Sequence, residues 1–172
     1  GKERMMDALK EMVKRDYFKI GLVIGFYNDQ RAVYSMLTES DITFTGLNDD
    51  DNKGAYEEIL DKLRDDKRVM RTTTVKSLLD YFSKKPYGWR DLDILGMIGR
   101  MWKFNAIQIM IHDNMIDTSN TSFKNDLARK NNVDTMVVRV KEVIDEATLY
   151  KVKRIMNDTF SVNLPLTEKE LK

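Results

Sequence analysis

The sequence predicts a mostly helical α+β fold with a few short strands. Apolar residues recur at three- and four-residue spacing in several segments, which is typical of amphipathic helices. Strict alternation of apolar and polar residues, which is typical of half-buried strands, is confined to short segments such as 106–112. The 172 residues, 42% of them hydrophobic, are enough to bury a core, so we expect a folded domain.

The N-terminal part is predicted to be helical. One apolar stripe runs from Met5 to Tyr17 at helical spacing. The stretch 18–27 mixes β-branched residues with glycines, and we expect either a strand or the buried continuation of the first helix. A further helix should begin at a cap formed by Asn28 or Asp29.

A polar, turn-rich segment over 41–53 is the predicted boundary between subdomains. A helix follows it to about Met70, with one apolar face formed by Tyr56, Ile59, Leu60 and Leu63. We therefore expect an N-terminal helical segment, a central unit and a C-terminal helix-strand-helix segment, at 1–45, 46–118 and 119–172. The alternative is that all three form one compact domain.

The central unit has the pattern of two helices joined by a tight turn. Threonines 72–74 offer an N-cap for a helix with the apolar stripe Val75, Leu78, Leu79 and Phe82. Pro86 ends this helix, and Gly88 is free to adopt the positive φ of a tight turn. The next helix begins near Arg90 and is expected to bury Ile94, Leu95, Ile98, Met101 and Trp102.

The alternating strand at 106–112 follows this second helix, and a turn at Asp113-Asn114 should join it to a strand over 115–117. Helix, turn, helix and hairpin in this order predict a winged helix-turn-helix, in which the hairpin is the wing. Downstream we expect a short helix to Lys130, a strand over 135–144 and a helix that begins at Asp145.

The string Pro86-Tyr87-Gly88-Trp89-Arg90-Asp91-Leu92-Asp93-Ile94 lies at the turn between the two helices. It resembles a segment of the large P-loop proteins of bacteriophage-exclusion (BREX) systems, the ATPases of the BrxC/PglY type. The resemblance is strongest over 73–111, and in that family the Pro-Tyr-Gly-Trp string lies well beyond the nucleotide-binding part of a very long chain. The resemblance therefore implies a bacterial phage-defence ATPase from which this chain is a C-terminal-side piece.

Two terminal features fit an excised piece of a longer protein. Gly1 stands in place of an initiator methionine, and a capping box at 167–170 starts a helix for which only two further residues follow. A P-loop needs Gly-x-x-x-x-Gly-Lys-Ser/Thr to hold phosphates, and the chain has no such string. We accordingly assign no nucleotide-binding residue and expect no cofactor.

No group of residues predicts catalysis or metal binding. The chain has no cysteine, and its one histidine, His112, stands beside a predicted turn, where a structural role is expected. Asp91 and Asp93 begin a helix, where carboxylates complement the helix dipole without any metal. We expect a non-catalytic domain.

Charge is unevenly distributed although the formal net charge is only +1, because residues 62–90 include nine basic and three acidic side chains. A basic surface of this kind binds the phosphates of double-stranded DNA. The exposed side of the second helix would present its cations to DNA together with those of the preceding turn. The candidate DNA-contacting residues are Lys84, Lys85, Arg90, Arg100 and Lys103.

A protein-interaction or scaffolding role in the same assembly is the competing hypothesis. The second helix also carries acidic residues, and the predicted wing tip at 112–114 has no lysine or arginine to bind a phosphate. Eleven methionines are compatible with an adaptable apolar contact surface. The partner would then be other protein subunits or the rest of the parent chain. No membrane span or secretion signal is found, so we expect a cytoplasmic location.

Overall fold

A computed structural model describes residues 1–25, 27–39 and 51–141 of the chain. Its helices are α1 (Lys2–Asp16), α2 (Gln30–Thr38), α3 (Lys53–Arg68), α4 (Val75–Phe82), α5 (Asp91–Lys103) and α6 (Thr121–Ala128). Its strands are β1 (Ile107–Ile111), β2 (Asn114–Met115) and β3 (Val137–Val140), and one 3₁₀ turn covers Ile20–Leu22. The predicted α+β class is confirmed.

Side-chain caps fix the starts of three helices. Asp29 accepts a hydrogen bond from the Ala32 amide at the start of α2, as its N-cap position predicts. Thr74 and Ser77 form a reciprocal capping box at the start of α4. Asn120 caps α6 in the same way. These polar residues therefore determine the residue at which each of the three helices begins.

The described residues of the segment 18–27, at 18–25 and 27, form neither of the two predicted structures. After α1 the chain forms turns and the 3₁₀ turn at Ile20–Leu22, and two of its backbone amides bond to distant residues. The Lys19 amide donates to the Pro86 carbonyl (3.1 Å), and the Ile24 amide donates to the Asn52 side chain (2.6 Å). These tertiary hydrogen bonds explain why neither regular structure forms.

The strands form one antiparallel sheet in the order β2-β1-β3. The predicted hairpin is present: His112 and Asp113 both have positive φ, which is the geometry of a tight two-residue turn. Its second strand is β2, which begins one residue before the predicted segment 115–117. Thr74 adds an isolated bridge to Val137 at the other edge, so the sheet is connected to the start of α4.

Helix α5 lies at the centre of the core and contacts α2, α4, α6 and β1. The five apolar side chains predicted to be buried along it are buried: Ile94, Leu95, Ile98, Met101 and Trp102. Helix α3 adds Tyr56, Ile59 and Leu63 to the same core. Most of the loop predicted over 41–53, the end of the strand predicted over 135–144 and the helix predicted from Asp145 lie outside the described residues. The three-segment division remains a prediction.

Candidate functional site

The corner between α4 and α5, residues 83–90, is built on aromatic packing. The rings of Phe82 and Trp89 stack with centroids 4.7 Å apart, and Tyr87 packs edge-on against both. Tyr87 and Trp89 are both buried. Trp89 therefore has a packing role, and the rings of Tyr87 and Trp89 offer no exposed platform for stacking nucleic-acid bases.

The same corner holds the end of α1. Lys85 forms an ion pair with Asp16 (2.6 Å), and the indole Nε1 of Trp89 donates to the Lys19 carbonyl (3.0 Å). The ring of Tyr17 lies on Gly88, whose φ of +64° confirms the predicted turn conformation. The Pro-Tyr-Gly-Trp string thus serves as the attachment point for the residues that leave α1.

A polar cluster behind the corner connects α3 to this attachment point. Glu58 accepts from Lys19 Nζ (2.6 Å) and from the Tyr87 hydroxyl (2.7 Å). Burial acts to raise the pKa of Glu58, but the hydrogen bonds from Lys19 and Tyr87 outweigh it and hold the pKa below its ordinary value. Burial and the neighbouring carboxylate raise the pKa of Tyr87, so its phenol stays neutral and donates. The cluster is a structural clamp, since all its groups satisfy one another.

A second buried carboxylate, Asp66, joins the end of α3 to the strand-like segment before α4. It accepts from Thr73 Oγ1 (2.9 Å), pairs with Lys62, and has Arg71 Nη1 at 3.4 Å. Burial opposes ionisation, but the bonds from Lys62 and Thr73 together with Arg71 lower the pKa of Asp66. Two cations of the basic segment 62–90 are therefore committed to one internal carboxylate.

Helix α5, the second helix of the helix-turn-helix, is enclosed on all sides. Every residue from Asp93 to Gly99 is buried, which covers nearly two helical turns without an exposed face. The absence of a side chain at Gly96 lets the Tyr27 ring approach to where a Cβ atom would be only 2.1 Å away, and Leu37 of α2 approaches Gly99 similarly. Residues 93–99 of α5 therefore present no exposed side chain.

The cations predicted at the corner are mostly engaged within the protein. Lys84 and Lys85 are both exposed, and Lys85 pairs with Asp16. Arg90 is bound by both carboxylate oxygens of Asp93 (2.7 and 3.0 Å) and donates to the Tyr27 carbonyl. Asp93 is 1% exposed and also accepts from the Tyr27 amide. It is therefore a structural ion-pair partner, a role beyond the helix-dipole role predicted for it.

The two cations in the last turn of α5 are half-buried and not presented on an exposed side, contrary to the prediction. Lys103 Nζ donates to the carbonyls of Met36 and Glu39 and so caps the C-terminus of α2. Arg100 is also engaged within the chain. Ten residues separate Arg90 from Arg100, or about 15 Å of helix, so the structure does not gather the five cations into one cluster.

The wing carries no positive charge. No lysine or arginine occurs between Lys103 and Lys124, a stretch that includes the whole β1–β2 hairpin. The exposed turn is His112-Asp113, and the lone histidine occupies a turn, as predicted. A winged helix that binds phosphates with its wing needs cations there, and this wing has none.

A family model of the winged helix-turn-helix domain of BrxC, the BREX ATP-binding protein, matches residues 19–142. The chain belongs to this family. The resemblance seen in the Pro-Tyr-Gly-Trp segment is thereby confirmed, and the winged helix predicted from spacing is the family's own domain type. No solved structure matches the chain.

The BREX winged-helix domain is not the catalytic part of its parent. ATP binding appears in the description of the matched family, and the P-loop string that holds phosphates does not occur in this chain. In the described part of the chain no three carboxylates or histidines converge on a metal position. No helix among those same residues is long and apolar enough to cross a bilayer.

Helix α1 precedes the residues matched by the family and differs from the other helices. None of its side chains is buried, and its apolar residues are 47–60% exposed: Met5, Met6, Leu9, Met12 and Val13. Phe18, Ile20 and Ile24 continue this exposure along the chain. The helical spacing of α1 was predicted from the sequence, but the exposure of its apolar side chains to solvent was not.

Proposed function

We propose that this BREX winged-helix domain is a protein-interaction module of its phage-defence assembly and does not read DNA. The observation that supports this most directly is the enclosure of α5. The helix that enters the major groove in DNA-binding winged helices is here covered by α2 and α6, and residues 93–99 are all buried. Opening this helix would expose the centre of the core.

The charges favour the same conclusion. DNA affinity arises chiefly from cations that neutralise phosphates, and it requires cations that are exposed and close together. Of the five candidates, Lys85, Arg90 and Lys103 have defined partners inside the protein. Lys85 and Arg90 are exposed like Lys84, so Lys84 is the exposed candidate that stands outside these pairs.

Exposed apolar side chains supply the surface that a protein partner requires. They are concentrated in the first 24 residues, and Val69 with Met70 forms a second, smaller patch at the end of α3. Large exposed apolar patches rimmed by charge are typical of protein-binding sites. The partners of this proposal are other protein subunits or the rest of the parent chain.

Fluorescence anisotropy with a labelled DNA duplex tests this proposal. We expect no saturable binding at ~20 mM salt, where phosphate contacts are strongest, and therefore none at ~150 mM salt. Lys84→Glu is the informative variant because Lys84 is exposed, and Lys76→Glu is its control on the outer face of α4. Saturable binding at low salt that Lys84→Glu abolishes and Lys76→Glu preserves would establish DNA binding in place of protein interaction.

The domain is further proposed to have no enzymatic activity or nucleotide site of its own. A tight phosphate site needs several converging backbone amides and a cation, and the sequence offers no such cradle. Equilibrium dialysis with ATP should show no saturable binding at micromolar concentration. Saturation in that range would contradict the proposal.

A further inference from the structure

The apolar face of α1 is exposed and takes no part in the core of the winged helix. Placed at 100° per residue, the side chains of Met5, Met6, Leu9, Met12 and Val13 fall within a sector of about 120°. They therefore form one continuous stripe, here called the α1 stripe. A helix of 15 residues is marginal in water on its own, and most helices are stabilised by packing their apolar face.

We propose that the α1 stripe pairs with the same stripe of a second copy of this chain, with the two helices antiparallel. This pairing specifies one partner for the protein-interaction role proposed above and rests on it. The pairing is isologous, because both copies contribute the same residues to the contact. In the preferred register Met6 of one copy lies opposite Leu9 of the second copy.

Charge complementarity selects this register. Glu3 and Lys10 lie on the same flank of the stripe, seven residues apart, so they occupy equivalent positions two turns apart. With Met6 opposite Leu9, Glu3 of each copy faces Lys10 of the second copy, and symmetry makes this contact twice. Sliding the helices by one heptad, which places Leu9 opposite Val13, would bring the two Lys10 side chains together instead.

The parallel arrangement is disfavoured by two features. Asp16 continues the line of the stripe at its C-terminal end, so parallel helices would place two carboxylates side by side. Each α1 also ends against the corner of its own domain, through the Lys85–Asp16 ion pair. Antiparallel helices put the two domains at opposite ends of the pair, whereas parallel helices would force both to one end.

The contact is small. Five apolar side chains from each copy bury less than the ~800 Å² per partner of a standard stable interface. We therefore expect a concentration-dependent dimer rather than a permanent one. Sedimentation equilibrium from ~10 µM to ~1 mM covers the range in which such an interface associates.

Charge variants of α1 provide the first test. Lys10→Glu should weaken dimerisation by about fivefold or more, because it replaces two attractive pairs with two repulsive ones. Combining it with Glu3→Lys should restore most of the association. Glu11→Lys is the matched control, since Glu11 lies on the side of α1 opposite the stripe and should leave the dimer unchanged. A dimer that responds equally to Lys10→Glu and Glu11→Lys would overturn the proposed register.

The absence of cysteine from the chain allows a second test. Met6→Cys mixed with Leu9→Cys should form a mixed disulfide on oxidation, whereas Met6→Cys alone should cross-link poorly. Efficient cross-linking of Met6→Cys with itself would instead demonstrate a parallel pair. A chain that stays monomeric at ~1 mM overturns the second copy as partner. If this monomeric chain also fails to bind DNA, the protein-interaction role still holds with a different subunit as the partner. If it binds DNA, both the α1 pairing and the protein-interaction role are wrong.

Discussion

The ring of Tyr17 lies directly on the backbone of Gly88, with Cδ1 only 2.6 Å from where a Cβ atom on that glycine would be. This contact explains why the Pro-Tyr-Gly-Trp string needs glycine at its third position. The backbone there has a positive φ, and Tyr17, the residue that follows α1, covers it. Both the positive φ of the turn and the packing of the Tyr17 ring therefore require that residue 88 has no Cβ atom.

Gly88→Ala should lower the free energy of unfolding by about 1–3 kcal/mol, since alanine meets both the positive φ and the Tyr17 ring. Adding Tyr17→Ala should recover the part due to the ring but not the part due to φ. Urea denaturation measures both. Gly21→Ala is the control, because a Cβ atom there meets nothing within 4 Å, and a loss equal to that of Gly88→Ala would refute the explanation.

Ile98→Ala should cost roughly 2–5 kcal/mol, because Ile98 is fully buried in α5 and its truncation leaves a cavity. The same denaturation experiment applies. Lys76→Ala on the exposed face of α4 should stay within about 0.5 kcal/mol. A change for Ile98→Ala below about 0.5 kcal/mol would mean that α5 is not enclosed as described.

Lys103→Ala should destabilise the domain by about 1 kcal/mol, because Lys103 caps the C-terminus of α2. Lys84→Ala, at an exposed position of the corner, should be nearly neutral. This pair separates a structural cation from an exposed one. If Lys103→Ala left stability unchanged and reduced low-salt DNA affinity instead, Lys103 would be a phosphate ligand and not a cap.

Asp66→Asn should cost about 1–3 kcal/mol near pH 7 and less in acid. Folding lowers the pKa of Asp66 below its ordinary 3.8, so its stabilising contribution is complete above that value and is lost as pH falls through the folded pKa. The gap in unfolding free energy between wild type and Asp66→Asn should therefore narrow below about pH 4. A gap that is constant from pH 7 to pH 3 would show that the ionised carboxylate contributes nothing.

The helix-turn-helix and wing were predictable because each element has its own local signal. A capping threonine, an apolar stripe, a proline and glycine turn and an alternating strand all occur in the right order. The enclosure of α5 was missed because only one face of this helix was considered. The signal was present: residues 94–99 are apolar or glycine on every side, which is typical of a helix buried all round.

The ion pairs of the candidate site had no comparable signal. Arg90 and Asp93 are three residues apart, which fits either a helix-dipole role or an ion pair. Lys103 and Lys85 find their partners 64 and 69 residues away, and contacts at such separations follow from the tertiary fold alone. The ion-pair partners of these cations therefore could not be predicted from their positions in the sequence.

The enclosure of α5 also has a kinetic consequence. Its backbone amides can exchange with deuterium only when α2 and α6 separate from it, so their exchange should report the global opening of the domain. The amides of α1, none of whose side chains is buried, should exchange through local fraying many orders of magnitude faster. The amides of α5 and α1 should therefore differ widely in exchange rate. A partner that binds α1 would slow exchange in α1 alone and leave the exchange of the α5 amides unchanged.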